Sequence, residues 1–119
     1  MALFTGVIEN RHFTVTNLVI SLSNEGDVPA EVELQVYRIP TLGFSTAILY
    51  VLHTVSLAPF NEVNSIITFD NVFAKVSRFA VRVFPSGLGG ANIVPTVGLL
   101  DDSANVIRII KPGDFQATD

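Results

Sequence analysis

The feature that most constrains this chain is a period of two. Leu18, Ile20 and Leu22 alternate with Asn17, Ser21 and Ser23. After the break Asn24-Glu25-Gly26-Asp27-Val28-Pro29, the residues Val32, Leu34 and Val36 alternate with Glu31, Glu33 and Gln35. Successive side chains of an extended strand point to opposite faces, so this pattern gives each segment one buried and one solvated face. A helical period is weak throughout, and β-branched and aromatic residues dominate the apolar set. The Asn, Gly, Asp and Pro of the break supply turn conformations. The two segments are therefore expected to form a hairpin.

The rest of the chain reads as further strands between turns. Residues 40–46 read as a loop, and 47–57 as a long strand stopped by Ala58-Pro59. Tyr50, Val51, Leu52 and Val55 place apolar groups on both sides of that strand. A strand apolar on both faces is expected to be covered on both. In a two-layer protein the extra cover must come from a loop, a terminus or another subunit. Runs at 63–69 and 76–84 follow, with Asp70-Asn71 as the turn between them. A glycine-rich loop at 85–90 leads to strands at 93–100 and 105–110, joined by the turn Asp101-Asp102-Ser103. Lys111-Pro112-Gly113 is expected to stop the sheet, leaving 114–119 as a polar tail. The total is seven or eight antiparallel strands, depending on whether 13–16 stands alone. The 119 residues are expected to form one all-β domain, a two-sheet sandwich of jelly-roll or immunoglobulin-like type.

Charge narrows the function. Only 15% of residues are charged, against about 25% in an average soluble domain. Part of the surface is therefore expected to be buried in a partner or in copies of the chain. Net charge is −4 and the seven basic residues are scattered, which argues against a nucleic-acid partner. Cysteine is absent, so disulfides, thiolate metal sites and thiol nucleophiles are excluded. No apolar run reaches the 18 or so residues of a membrane-spanning helix. Residues 1–10 lack the basic start and continuous apolar core of a classical signal peptide.

No set of residues recommends itself for catalysis. His12 and His53 are the two histidines, and His53 sits within an apolar strand. A triad needs a histidine between a carboxylate and a nucleophile, and no Gly-x-Ser-x-Gly elbow is present. Asp101-Asp102 reads as turn chemistry, and Glu31 with Glu33 as a solvated strand face. Asp70, Asn71, Asp101 and Asp102 would hold calcium only if two turns met. The glycines of 86–90 follow a strand but precede no helix, so they make a loop and not a phosphate cradle. The expectation is a non-enzyme without catalytic, cofactor or metal residues.

The N-terminal segment is the most suggestive part. Leu3, Thr5 and Val7 alternate with Phe4, Gly6 and Ile8 until Arg11 and His12 interrupt. Residues 1–12 can serve as an arm that adds a strand to the sheet edge of a neighbouring copy, or as the first strand of their own sandwich. On the first reading the assembly interface is Leu3, Phe4, Val7 and Ile8 with Tyr50 and Leu52.

The run Val63-Asn64-Ser65-Ile66-Ile67-Thr68-Phe69-Asp70-Asn71-Val72-Phe73-Ala74-Lys75-Val76-Ser77-Arg78-Phe79-Ala80-Val81-Arg82-Val83, and the strands of residues 18–39, resemble small β-sandwich proteins of spore-forming bacteria. That group is similar to the endospore-appendage subunits, which build extracellular fibres from jelly-roll units joined by N-terminal arms. The likeness is one of pattern over about residues 15–110. It implies no catalytic residues. Those subunits also cross-link through cysteines, which this chain lacks. The resemblance implies a self-assembling structural subunit of an extracellular fibre or surface layer, on a spore or cell surface. Two alternatives are a surface-displayed binding module or adhesin, presenting loops 42–46 and 86–90, and a virion structural protein.

Overall fold

The computed structural model describes residues 2–39 and 48–118, without the side chains of 48–52 and 118. Among the described residues there are ten strands: β1 (Ala2–Phe4), β2 (Ile8–Glu9), β3 (Asn17–Asn24), β4 (Ala30–Arg38), β5 (Ile48–Leu57), β6 (Ile66–Phe73), β7 (Arg78–Ser86), β8 (Ile93–Leu100), β9 (Val106–Ile110) and β10 (Gln116–Thr118). They form two antiparallel sheets. Sheet A runs β10-β1-β7-β4-β5, with β2 also paired to β7, and sheet B runs β6-β3-β8-β9. The chain is an all-β, two-sheet sandwich.

Alternation fills the space between the sheets. Leu18, Ile20, Leu22 and Val97 of sheet B meet Leu34, Val36, Phe79, Val81 and Val83 of sheet A, all essentially inaccessible to water. Each such side chain contributes about 1.5–3 kcal/mol by leaving water.

The expected hairpin of β3 and β4 does not form. Both strands exist with the expected faces, but β3 lies in sheet B and β4 in sheet A. The connection arches between the layers. Buried Asn24 shapes it, donating from Nδ2 to the Val28 carbonyl at 2.8 Å and accepting the Gly26 N–H at 3.0 Å. Alternation fixes which face is buried and is silent on which strand is the neighbour.

Other boundaries move for identifiable reasons. Asp70 and Asn71 lie inside β6. Asn71 is left-handed (φ 56°) where the β3–β6 register shifts, so this is a bulge and not a reversal. Residues 61–65 form a turn with Asn61 and Asn64 left-handed, so β6 starts at Ile66 and not at 63. No strand covers 13–16: Arg11–Phe13 is a 3-10 turn in which His12 and Phe13 have positive φ. The expected polar tail is partly a strand, since β10 pairs with β1.

The β8–β9 turn falls where expected. Asp101 Oδ1 accepts the N–H groups of Ser103 and Asn105, each at 2.9 Å. The bond from the Asn105 amide, first of all, holds the carboxyl below its ordinary value. A carboxylate with a lowered folded pKa stabilises above its unfolded pKa, and that contribution fades as pH falls through the folded value. Amide-exchange protection of Ser103 and Asn105 is therefore expected to drop below about pH 4. Amides of β3 should be unmoved, and Asp101→Asn should abolish the pH dependence. Protection at Ser103 and Asn105 that is unchanged in acid would contradict this.

Candidate assembly interface

The six residues expected to form an assembly interface are not brought together. β1 lies between β10 and β7, with Leu3 opposite Val83 and Phe4 opposite Arg82. Leu3 packs partly buried on the core, and Ile8 is buried within it, opposite Phe79. Val7 is half exposed. Residues 2–9 thus belong to their own sandwich, the second of the two readings of the arm. Tyr50 and Leu52 lie at the far side of the same sheet, on β5. Leu52 pairs with Gln35 and Tyr50 sits at a register shift; their side chains fall outside the described residues. Loop 42–46 also lies outside them.

The outer face of sheet A is charged and aromatic. The Arg82 guanidinium sits 4.9 Å from the Phe4 ring centroid and 5.2 Å from that of Tyr37, between the two rings. Its Nε is buried without a hydrogen-bond partner, so the rings carry the interaction. Tyr37 donates its hydroxyl to Gln35, whose amide donates to Glu33 at 2.9 Å. Glu9 accepts from Arg78 at 2.7 Å on the surface, a pair worth at most about 1 kcal/mol.

The outer face of sheet B is different. The outward residues of its two central strands are Asn17, Val19, Ser21 and Ser23 on β3 and Val94, Thr96, Gly98 and Leu100 on β8, none of them charged. Val19, Ser21, Thr96, Gly98, Leu100, Val106 and Ile109 line an apolar groove of about 260 Å³ there. This face was absent from the expected interface. Its signal was visible in the same alternation, because the solvent-side positions of β3 and β8 carry small hydroxyl and apolar groups where charges are usual.

Of the four terminal strands, β10 and β5 in sheet A and β6 and β9 in sheet B, β5 and β9 stand out. β5 ends sheet A, and its sequence from Ile48 to Leu57 contains no Lys, Arg, Asp, Glu or Pro. It was expected to be covered on both faces; His53, Thr54 and Ser56 are exposed, while the side chains of Tyr50, Val51 and Leu52 lie outside the described residues. β9 ends sheet B and exposes Val106, Ile107 and Ile109, with a single charged residue, Arg108, among them. Natural edges normally carry charge, proline or cover against pairing with another chain. β5 lies beside β6, while β9 approaches β2 across a cleft lined by Ile8 and Ile107. The two apolar edges are thus at opposite margins of the sandwich.

The positions considered for chemistry have structural surroundings. The His53 ring stacks on Phe69 at 5.0 Å across the β5–β6 margin. His12 is exposed in the 3-10 turn. In loop 86–90 a Cβ on Gly89 would lie 2.5 Å from the Val28 carbonyl oxygen, so glycine there permits close backbone approach to the β3–β4 arch. Leu88 projects from this loop almost fully exposed. Among the described residues no group of three or more His, Asp or Glu is placed to hold a metal, and no helix is long and apolar enough to cross a membrane.

No family model matches the sequence, and no curated protein matches it. Among solved structures, the chain is similar to the crystal structure of Thermotoga maritima 1070, with 14% identity and a TM-score of 0.50. The match covers 92% of this chain and 87% of that one. A likeness at this identity shows the sandwich fold alone.

Proposed function

We propose that the protein is a non-catalytic structural subunit that assembles with copies of itself by strand addition at its sheet edges. The observation that carries this reading is the pair of edges at opposite margins, β5 without a charge and β9 apolar but for Arg108. An edge strand offers unpaired main-chain groups to another chain, and different edges meeting head to tail propagate wherever the rotation between copies does not close a ring. The product is a fibre or a layer. The resemblance to spore-surface sandwich proteins supports an extracellular or spore-surface setting. The N-terminal segment, which completes its own sheet, is not required as the donor.

The pair Thr54→Lys and Ser56→Lys places two charges on the β5 edge at exposed positions. Wild-type protein is expected to form filaments or sheets by negative-stain electron microscopy, and the double variant to lose them with its unfolding midpoint unchanged. A wild type that runs as a single 12.9 kDa species at high concentration would sink the proposal.

A further inference from the structure

The geometry points to a second, different self-contact: two copies packing face to face through the outer surface of sheet B, about a two-fold axis. This rests on the self-assembly reading and names an interface that the edges do not supply.

The first argument is charge. A chain of net charge −4 repels its own copies. The outward positions of β4 and β7 include Glu31, Glu33, Arg78 and Arg82, so sheet A presents ionic groups. The outward positions of β3 and β8 present none. The centre of sheet B is therefore where this acidic chain can meet itself without burying charge, with exposed Asp70 of β6 left at the rim of the patch.

The second argument is shape. Gly98 lies directly opposite Ile109 in the β8–β9 register. The missing side chain makes a hollow beside a ridge of Ile109 and Val106, both about half exposed. A two-fold axis places the ridge of each copy in the hollow of the other, the self-complementarity an isologous contact requires. Ser21 and Thr96 keep the remaining surface low enough for sheets to approach at about 10 Å.

The third is area. β3 and β8 are each eight residues long, about 26 Å at 3.3 Å per residue, and four strands span about 19 Å. The face is then roughly 500 Å² per copy and roughly 1,000 Å² for the pair, the size at which specific interfaces begin.

The test uses the Thr54→Lys/Ser56→Lys chain, in which edge addition is blocked. Sedimentation is expected to show a dimer of about 26 kDa, twice the 12.9 kDa chain. Gly98→Val in that background fills the hollow. A Cβ at Gly98 meets only the Val19 carbonyl oxygen at 3.9 Å and the Val19 Cβ at 4.0 Å, so the fold should be unchanged or stabilised. The dimer dissociation constant should rise at least about tenfold, the scale of a central interface position. Thr96→Lys should act in the same direction. A monomer in the edge-blocked background, or a dimer indifferent to both Gly98→Val and Thr96→Lys, overturns the face-to-face contact. Filament formation by wild type, read separately, reports on the edges alone.

Discussion

Replacing Asn10 by alanine is expected to destabilise the protein by about 3–5 kcal/mol, a large share of the roughly 5–15 kcal/mol of an ordinary domain. Asn10 is 2% exposed. Its Nδ2 lies within donating distance of the Val15 and Val76 carbonyls, both at 2.9 Å, and of the Ala74 carbonyl at 3.3 Å. Its Oδ1 accepts the Val15 N–H at 3.0 Å, and its own N–H donates to Ser77 at 2.8 Å. One side chain thus ties the end of β2 to the start of β3 and to the β6–β7 connection, more than 60 residues away. Alanine leaves several of those backbone groups without a partner. Each unmet buried group costs about 1–3 kcal/mol, less where water enters the space left. Asn10→Asp is of equal size but cannot donate, and it sets a carboxylate against carbonyl oxygens. Its loss should be at least as large. Urea unfolding measures both; a change below about 1 kcal/mol in either would show that Asn10 is not a clamp.

Asn10 also illustrates what the sequence does and does not disclose. In the chain it is one polar residue before an interruption of a pattern, and nothing local says that it is buried. Its partners at 74–76 are reached only through the fold. The alternation of β3, β4 and β8 was legible because the side of a strand that is buried is a local property. Pairing is not local. β3 and β4 look like a hairpin from their spacing, yet the buried Asn24 turns the chain into the other layer. Asp70-Asn71 looks like a reversal because bulges and turns use the same residues. The polar segment 116–118 becomes β10 because β1 offers it an edge, which no feature of its own composition announces. The interface suffered in the same way. Leu3 and Ile8 were recognised as strand-like, correctly, but their partner β7 is in the same molecule. The bare face of sheet B emerges only when β3 and β8 are placed side by side.

Deleting residues 1–9 is expected to abolish the cooperative fold. These residues place Ile8 in the core with Leu3 against it, and β1 is the strand that joins β10 to β7. Loss of their apolar burial costs several kcal/mol at about 1.5–3 kcal/mol per fully buried side chain. β10 loses its neighbour in the sheet, and β7 is left as an edge with one side open along Phe79–Val83. The sum is comparable to the whole stability of a domain. The truncated chain should show no cooperative thermal transition and should bind a dye that reports exposed apolar surface. A synthetic peptide of residues 1–10, added in excess, should restore the transition by filling the vacant place beside β7. A truncated chain that melts at the wild-type midpoint would show that β1 and β2 contribute nothing in solution. Rescue would carry a further meaning. The vacant place accepts the segment from outside through the same registers, Leu3 to Val83 and Ile8 to Phe79. The intact protein closes that place with its own chain, because covalent attachment holds the segment at an effective concentration that a separate copy must exceed. The segment is then a cover that prevents β7 from becoming a further open edge beside the terminal strands of the two sheets.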